Sequence, residues 1–200
     1  MLVGMMASGK TTVARRVAAA LGRAVFDSDE MIERRTGRTV AQLWESGGEP
    51  AYRELETAVL DEALAAVPAG VVAAAGGVVL SAVNRARLQR ASERGAVVVW
   101  LRADPSVLAS RVMPGDHRPL LRDDPAATLR RLAGEREALY AEVADRVLDV
   151  TASSVDQVAA AVIEEVEAVD AERTRTGGPD HGDRTAADQG GADLDAGRAR

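Results

Sequence analysis

Apolar and polar positions along the chain change period repeatedly, and the changes divide it into alternating strands and helices. Leu2 and Val3 are apolar and run straight into a glycine-bounded turn, while Val13 to Leu21 (VARRVAAAL) repeats apolar residues at helical spacing and stops at Gly22, a residue that commonly closes helices. Ala24 to Asp27 (AVFD) reads as a short buried strand, Ser28 to Arg35 as a helix closed by Gly37, and 39–66 as mostly helical with a break near Gly47 and Gly48. Val71 to Ala74 predicts a strand running into Gly76 and Gly77, followed by a helix over about 81–94. Ala96 to Leu101 (AVVVWL) is β-branched and apolar without alternation, the pattern of a strand covered on both faces. A short helix follows Asp104-Pro105. The stretch VMPGDHRPLLRDDP has two-sided charge, three prolines and no periodicity, so it reads as a mobile lid over about 112–124. A helix near 126–144, a strand at Val147 to Val150 and a helix near 155–169 complete the series. This alternation predicts an α/β chain: a three-layer α/β/α domain over 1–169 around a parallel sheet of about five strands.

Beyond it the pattern stops. Residues 171–200 contain, among Leu, Ile, Val, Met, Phe, Trp and Tyr, only Leu194. Such a segment cannot bury enough apolar surface to offset its ordering entropy, which predicts a disordered low-complexity tail over 170–200.

Composition narrows the function. The 200 residues are 46% hydrophobic and 28% charged, which suits one domain with a proper core. A net charge of −6 argues against a nucleic-acid surface, since phosphate backbones are held by clustered Lys and Arg. With no cysteine and only His117 and His181, neither disulfides nor zinc chemistry is expected. No apolar run is long enough to cross a bilayer, and no leader-like succession opens the chain, so the expectation is a cytoplasmic enzyme or binding module without membrane contact.

The strongest chemical signal is GMMASGKTT, residues 4–12: a glycine, four residues, then Gly-Lys-Thr. This is the spacing of a phosphate-cradling loop between a strand and a helix, so the domain is expected to have the P-loop NTPase fold. Backbone N–H groups from Met6, Ala7, Ser8 and Gly9 to Lys10 would surround a β-phosphate, aided by the positive end of the helix that Thr11 and Thr12 begin. Lys10 would reach the β- and γ-phosphates, and the Thr11 hydroxyl would ligate Mg²⁺. Asp27 and Asp29 flank Ser28 at the carboxyl end of the second strand, where open α/β sheets bind ligands. One of these carboxylates could hold Mg²⁺, directly or through water, while the other accepts a proton from an attacking hydroxyl; a cap on the next helix is expected from Ser28 or Asp29. Arg53 in AYRELE, Arg118 in DHRPLL and Arg136 in GEREALY form a further set, of which two could clamp a carboxylate and one, on the lid, could close over the phosphates. Gly76 and Gly77 allow a ligand to approach the backbone closely.

These pieces in this order resemble the shikimate kinase family over residues 1 to about 168. The resemblance rests on GMMASGKTT, FDSDEMIERRTGRTVAQLW, GGEPAYRELE, the Gly76-Gly77 pair, HRPLL and EREALY. It implies ATP-dependent phosphorylation of the shikimate 3-hydroxyl, in chorismate and aromatic amino-acid biosynthesis, by a monomer. It also implies roles: Asp29 as shikimate ligand and base, Asp27 as a water-mediated Mg²⁺ partner, and Arg53 and Arg136 as the carboxylate clamp, joined by Gly76 and Gly77. Arg118 is implied as the lid arginine and Arg111 as the residue beside the adenine. Trp44 and Tyr52 stand where the family often has phenylalanines near the shikimate ring.

Three features depart from the family. Ala75 stands where the family usually has the first of three glycines, which is expected to weaken shikimate affinity. The late loop TASSVDQV lacks the usual arginine or proline, so its adenine contacts do not carry over. Only three residues precede Gly4, short for a central strand, which points to a start codon upstream or to a clipped chain. Two other readings stay open: a related kinase acting on gluconate or a cyclitol acid, and a nucleotide-binding regulatory module without turnover.

Overall fold

A computed structural model describes residues 1–112 and 124–175. The sheet has five parallel strands in the order β2-β3-β1-β4-β5. They are β1 (Leu2–Val3), β2 (Val25–Asp27), β3 (Val71–Ala73), β4 (Val99–Arg102) and β5 (Arg146–Asp149). Between and after them run α1 (Lys10–Leu21), α2 (Ser28–Thr36), α3 (Val40–Ala65), a 3-10 turn (Val78–Leu80), α4 (Ala82–Glu93), α5 (Pro105–Ser110), α6 (Pro125–Val143) and α7 (Val155–Arg175). The three-layer α/β/α architecture is therefore the one the periodicity predicts.

The absence of alternation in the strands follows from cover on both faces. Leu2, Val71, Ala73, Val97, Val99 and Leu101 pack with Val13, Val17, Val158 and Val162 of α1 and α7. Their sequence neighbours Val3, Ala74, Val98 and Trp100 pack with Leu60, Leu88, Leu108, Leu129 and Tyr140 from the other helical layer. A third cluster joins Met31 and Ile32 of α2 to Leu43, Tyr52 and Val59 of α3 beneath Val72. It makes the α2–α3 unit a wall standing on the sheet.

Most element ends have visible causes. Asp27 caps α2 by accepting from the N–H groups of Asp29 and Glu30, and Thr39 with Gln42 forms a capping box on α3. The α2 cap is thus neither Ser28 nor Asp29, since the last strand residue has the extended backbone a cap requires. The break in 39–66 is at Gly48, whose φ of 67° and ψ of −172° leave the helix just before Pro50, a residue with no N–H to continue the ladder.

Two boundaries differ from expectation. Strand β4 starts at Val99 rather than Ala96: Asp145 Oδ2 accepts the Val98 N–H at 2.7 Å, so a side chain occupies a position where a strand neighbour would bond. Helix α7 runs to Arg175, six residues past the expected end at 169. Val169 is buried in the core, and Arg146 of β5 pairs with Glu165 at 2.9 Å and Glu172 at 2.7 Å, holding the last turns against the sheet. Of the expected tail, 170–175 is thus helical and 176–200 lies outside the described residues. The lid, with Arg118 and His117, also lies outside them apart from its edges at 112 and 124.

The two-residue β1 is the middle strand, with Leu2 opposite Ala73 on one side and Val99 on the other. Both neighbours bond to it and both its side chains are fully buried. Its central place puts the phosphate loop, which leaves its carboxyl end, in the middle of the sheet's carboxyl edge, beside the point where strand order reverses.

Candidate active site

A cavity of about 450 Å³ opens at that edge. The phosphate loop forms one end of it. Gly4 has a φ of 141°, and a Cβ there would lie 2.6 Å from the Leu101 carbonyl oxygen, so only glycine lets the loop leave β1 this close to β4. Ala7 (φ 62°) and Gly9 (φ 90°) are left-handed, a backbone turn that aims successive N–H groups at one point. Gly9 caps α1 with no side-chain acceptor among the described residues, so the first N–H groups of that helix face the cavity end without a cap. Lys10 folds back over the loop, donating from Nζ to the carbonyls of Gly4 at 2.9 Å and Met5 at 2.8 Å. Met6, Ala7, Gly9, Lys10, Thr11 and Thr12 all line the cavity. Ser8 does not: it is buried, and its N–H donates to the Met5 carbonyl at 3.3 Å.

Thr11 Oγ1 donates to Asp27 Oδ2 at 2.6 Å, while Asp27 Oδ1 accepts from the α2 backbone. A hydroxyl and a carboxylate side by side at the phosphate end are hard oxygen donors of the kind Mg²⁺ prefers. Among the described residues no group of three or more His, Cys, Asp or Glu could cage a metal. The pair therefore fits an ion that takes its remaining ligands from phosphates and water.

The other end is built on α2, α3, α6 and the turn after β3. Asp29, Tyr52, Arg53, Arg136 and Ala75 to Gly77 line it, together with Glu33, Val40 and Trp44. Arg53 lies across Gly77, where a Cβ would overlap its guanidinium. It pairs with Glu49 at 2.7 Å and Glu56 at 3.0 Å, and sits over the rings of Trp44 (5.8 Å) and Tyr52 (5.4 Å). Glu56 is 1% exposed, and its Oε2 has no hydrogen-bond partner among the described residues. Burial pushes its carboxyl up to about 7 even though the Arg53 charge opposes the rise. Arg136, 3% exposed, donates to the Gly76 carbonyl at 3.2 Å, and Tyr140 donates to the same oxygen at 2.5 Å. Gly76 is itself packed against the phosphate loop, its absent Cβ being 3.2 Å from the Met6 nitrogen. Two arginines thus converge on a glycine pair one residue away from the phosphate end's backbone. Ala75 fits beside them with its methyl group buried.

On the third side, Arg111 donates to the carbonyls of Val150 at 3.0 Å and Thr151 at 3.2 Å, tying the end of α5 to the TASSVDQV loop. The structure therefore gathers Asp27, Asp29, Arg53, Gly76, Gly77, Arg111 and Arg136 with the loop around one cavity, although they are scattered along the sequence. Glu33, Val40 and Glu56 were not singled out beforehand. Glu33 stands one helical turn after Asp29 and Glu56 stands three residues after Arg53, spacings that place each pair on one helix face and could have flagged both.

A parallel sheet with this loop at its central strand, an adjacent hydroxyl–carboxylate pair and a cationic second compartment defines a P-loop phosphotransferase with a small acceptor. The comparisons agree: residues 6–167 match the family model described as shikimate kinase, and the chain belongs to that family. It is 44% identical over 156 residues to the shikimate kinase of Nitrobacter winogradskyi, covering 78% of this chain and 68% of that one. It is 43% identical over 164 residues to that of Halorhodospira halophila, covering 82% and 90%. Among solved structures, the Acinetobacter baumannii shikimate kinase in complex with shikimate superposes with a TM-score of 0.77 at 33% identity, covering 84% of this chain and 92% of that one. A gluconokinase from Sinorhizobium meliloti shares the fold, with a TM-score of 0.56 at 19% identity and coverage of 88% and 95%.

Proposed function

We propose that the chain transfers the γ-phosphoryl group of ATP to the 3-hydroxyl of shikimate, giving shikimate 3-phosphate and ADP. The observation that carries the reading is one cavity joining a phosphate loop to a compartment lined by the Asp29 carboxylate and by two arginines, Arg53 and Arg136, set against a glycine pair. ATP phosphates would sit in the loop with Lys10 on the β- and γ-oxygens and the adenine toward Arg111. The shikimate carboxylate would face the two guanidinium groups, whose planar forks suit it, with the backbone of Gly76 and Gly77 alongside. The acceptor oxygen then attacks the γ-phosphorus in line as the bond to the β-bridging oxygen breaks; its proton passes to Asp29 and the bridging electrons leave with ADP.

Thr11, directly, and Asp27, through water, are the residues that would hold Mg²⁺. Bound there, the ion would supply charge neutralisation between the β- and γ-phosphates. Arg118 would add a further positive charge from the lid and help exclude water, which otherwise competes with the acceptor. The chain is expected to act as a monomer in the cytoplasm; no described helix is long and apolar enough to cross a membrane.

The test is ADP release with Mg²⁺ and ATP, alone and with shikimate or gluconate. Shikimate should stimulate release strongly and gluconate should not. Release indifferent to shikimate sinks the proposal, and equal response to gluconate would favour the related-kinase reading.

A further inference from the structure

The acceptor compartment contains a hydroxyl that the chemistry above does not use. Tyr52 lies in the first turns of α3 after the Gly48 break, is 4% exposed, and donates from Oη to Asp29 Oδ1 at 2.5 Å. Its ring cannot swing away easily. Trp44, on the segment before the break, packs against it with centroids 5.7 Å apart, and the Arg53 guanidinium covers it. The bond spans two helices, joining α2, which carries Asp29, to α3, which carries Arg53.

We infer that Tyr52 is a positioning residue for phosphoryl transfer: its hydroxyl fixes the plane of the Asp29 carboxylate, and so the direction in which that group meets the acceptor hydroxyl. The inference rests on the reading of Asp29 as the group that orients the acceptor and takes its proton. Asp29 is exposed and lies in the first turn of α2, where an aspartate has several staggered rotamers open to it. A carboxylate free to exchange among them would be aligned for transfer only part of the time. A strong, short bond to a rigid aromatic ring selects one arrangement before the substrate arrives. Burial and the neighbouring charges of Asp29 and Glu56 push the Tyr52 hydroxyl far above its ordinary range, so it stays a donor at any working pH. The same bond also ties together the two elements that must keep their spacing for the acceptor to reach the γ-phosphate.

The test is a double-mutant cycle with Tyr52→Phe, which keeps the ring and removes only the hydroxyl, and Asp29→Ala. With Asp29 in place, Tyr52→Phe should lower kcat about tenfold to a hundredfold, the scale of a small misalignment. It should leave KM for ATP within about twofold and melting unchanged. In the Asp29→Ala background, Tyr52→Phe should have no further effect, because its partner is gone. A merely structural tyrosine would give the same loss in both backgrounds, and that additive result, or a loss below about twofold in the first, overturns the inference alone. If Asp29→Ala itself leaves kcat nearly intact, both the inference and the role of Asp29 fail. Should transfer by Asp29→Ala fall below detection, the same cycle in shikimate Kd, measured without turnover, gives the coupling: non-additive losses support the inference and additive ones overturn it.

Discussion

Replacing Arg53 by alanine separates substrate recognition from fold stability, and the two consequences can be worked out from its neighbours. Toward substrate, the guanidinium is mostly buried, with its side chain 20% exposed, and it is one of two that face the acceptor compartment. Removing one partner of a desolvated charge pair costs about 2–5 kcal/mol of binding, or roughly thirtyfold to several-thousandfold in shikimate affinity. Nucleotide affinity should change less than about threefold, because Arg53 makes no contact with the phosphate loop among the interactions described. Toward stability, the same substitution strips the buried Glu56 of its counter-charge. The Glu56 carboxyl is raised to about 7 from an ordinary 4.5. A raised acid binds more protons when folded, so its contribution to stability is complete below the ordinary value and is lost as pH rises through about 7. In the wild type that decline levels off once Glu56 ionises beside Arg53. Without Arg53 the ionised form loses its hydrogen-bonded partner and keeps only the weaker charge of Arg136, so the side chain stays protonated to higher pH and the decline continues. The additional cost is negligible near pH 6 and on the order of 1 kcal/mol near pH 8, above the midpoint. Chemical denaturation at those two pH values, beside calorimetric titration of shikimate and of ADP, measures both effects. Equal losses of shikimate and nucleotide affinity would refute the clamp, and a stability loss that does not grow with pH would refute the account of Glu56.

Gly77→Ala tests the clamp from the other side: its backbone is right-handed, so the added methyl group strains nothing, but it overlaps the Arg53 guanidinium and should raise KM for shikimate about tenfold or more while KM for ATP and the circular dichroism spectrum hold. Asp27→Asn keeps a side-chain acceptor for the α2 cap while removing the charge, so melting should hold within a few degrees as the Mg²⁺ concentration for half-maximal rate rises several-fold; an unchanged Mg²⁺ requirement argues against Asp27 as a metal partner. Gly4→Ala forces a Cβ toward the Leu101 carbonyl at a φ of 141° and should destabilise the fold by about 1–3 kcal/mol in urea unfolding, with nucleotide binding lost alongside; wild-type stability would show that the loop exit from β1 is slack.

The order of elements and the phosphate loop are legible in the sequence because both are written locally. A strand, a Gly-x₄-Gly-Lys-Thr turn and an amphipathic helix are neighbours in the chain, and their spacing has few other physical solutions. The break at Gly48-Glu49-Pro50 is local in the same sense. Helix α7 runs past the end that its periodicity predicts because what carries it to Arg175 is a β5 arginine meeting Glu165 and Glu172, partners that no short window contains. Strand β4 starts later than its apolar run predicts for the same reason, since Asp145 reaches Val98 across 47 residues.

The site divides along this line too. Residue types and the resemblance nominated Asp29, Arg53, Arg136, Gly76 and Gly77 as candidates, since only certain side chains can hold a carboxylate or accept a proton. Whether they meet was a matter of tertiary structure: Arg136 reaches the Gly76 carbonyl across 60 residues, and Tyr52 reaches Asp29 across 23. The burial that raises the Glu56 carboxyl exists only in the folded chain. Sequence alone determined which groups were available and which helices and strands would carry them, because those properties depend on near neighbours. The packed sheet decided which of those groups share one cavity, how far each is removed from water, and therefore what chemistry they can do together.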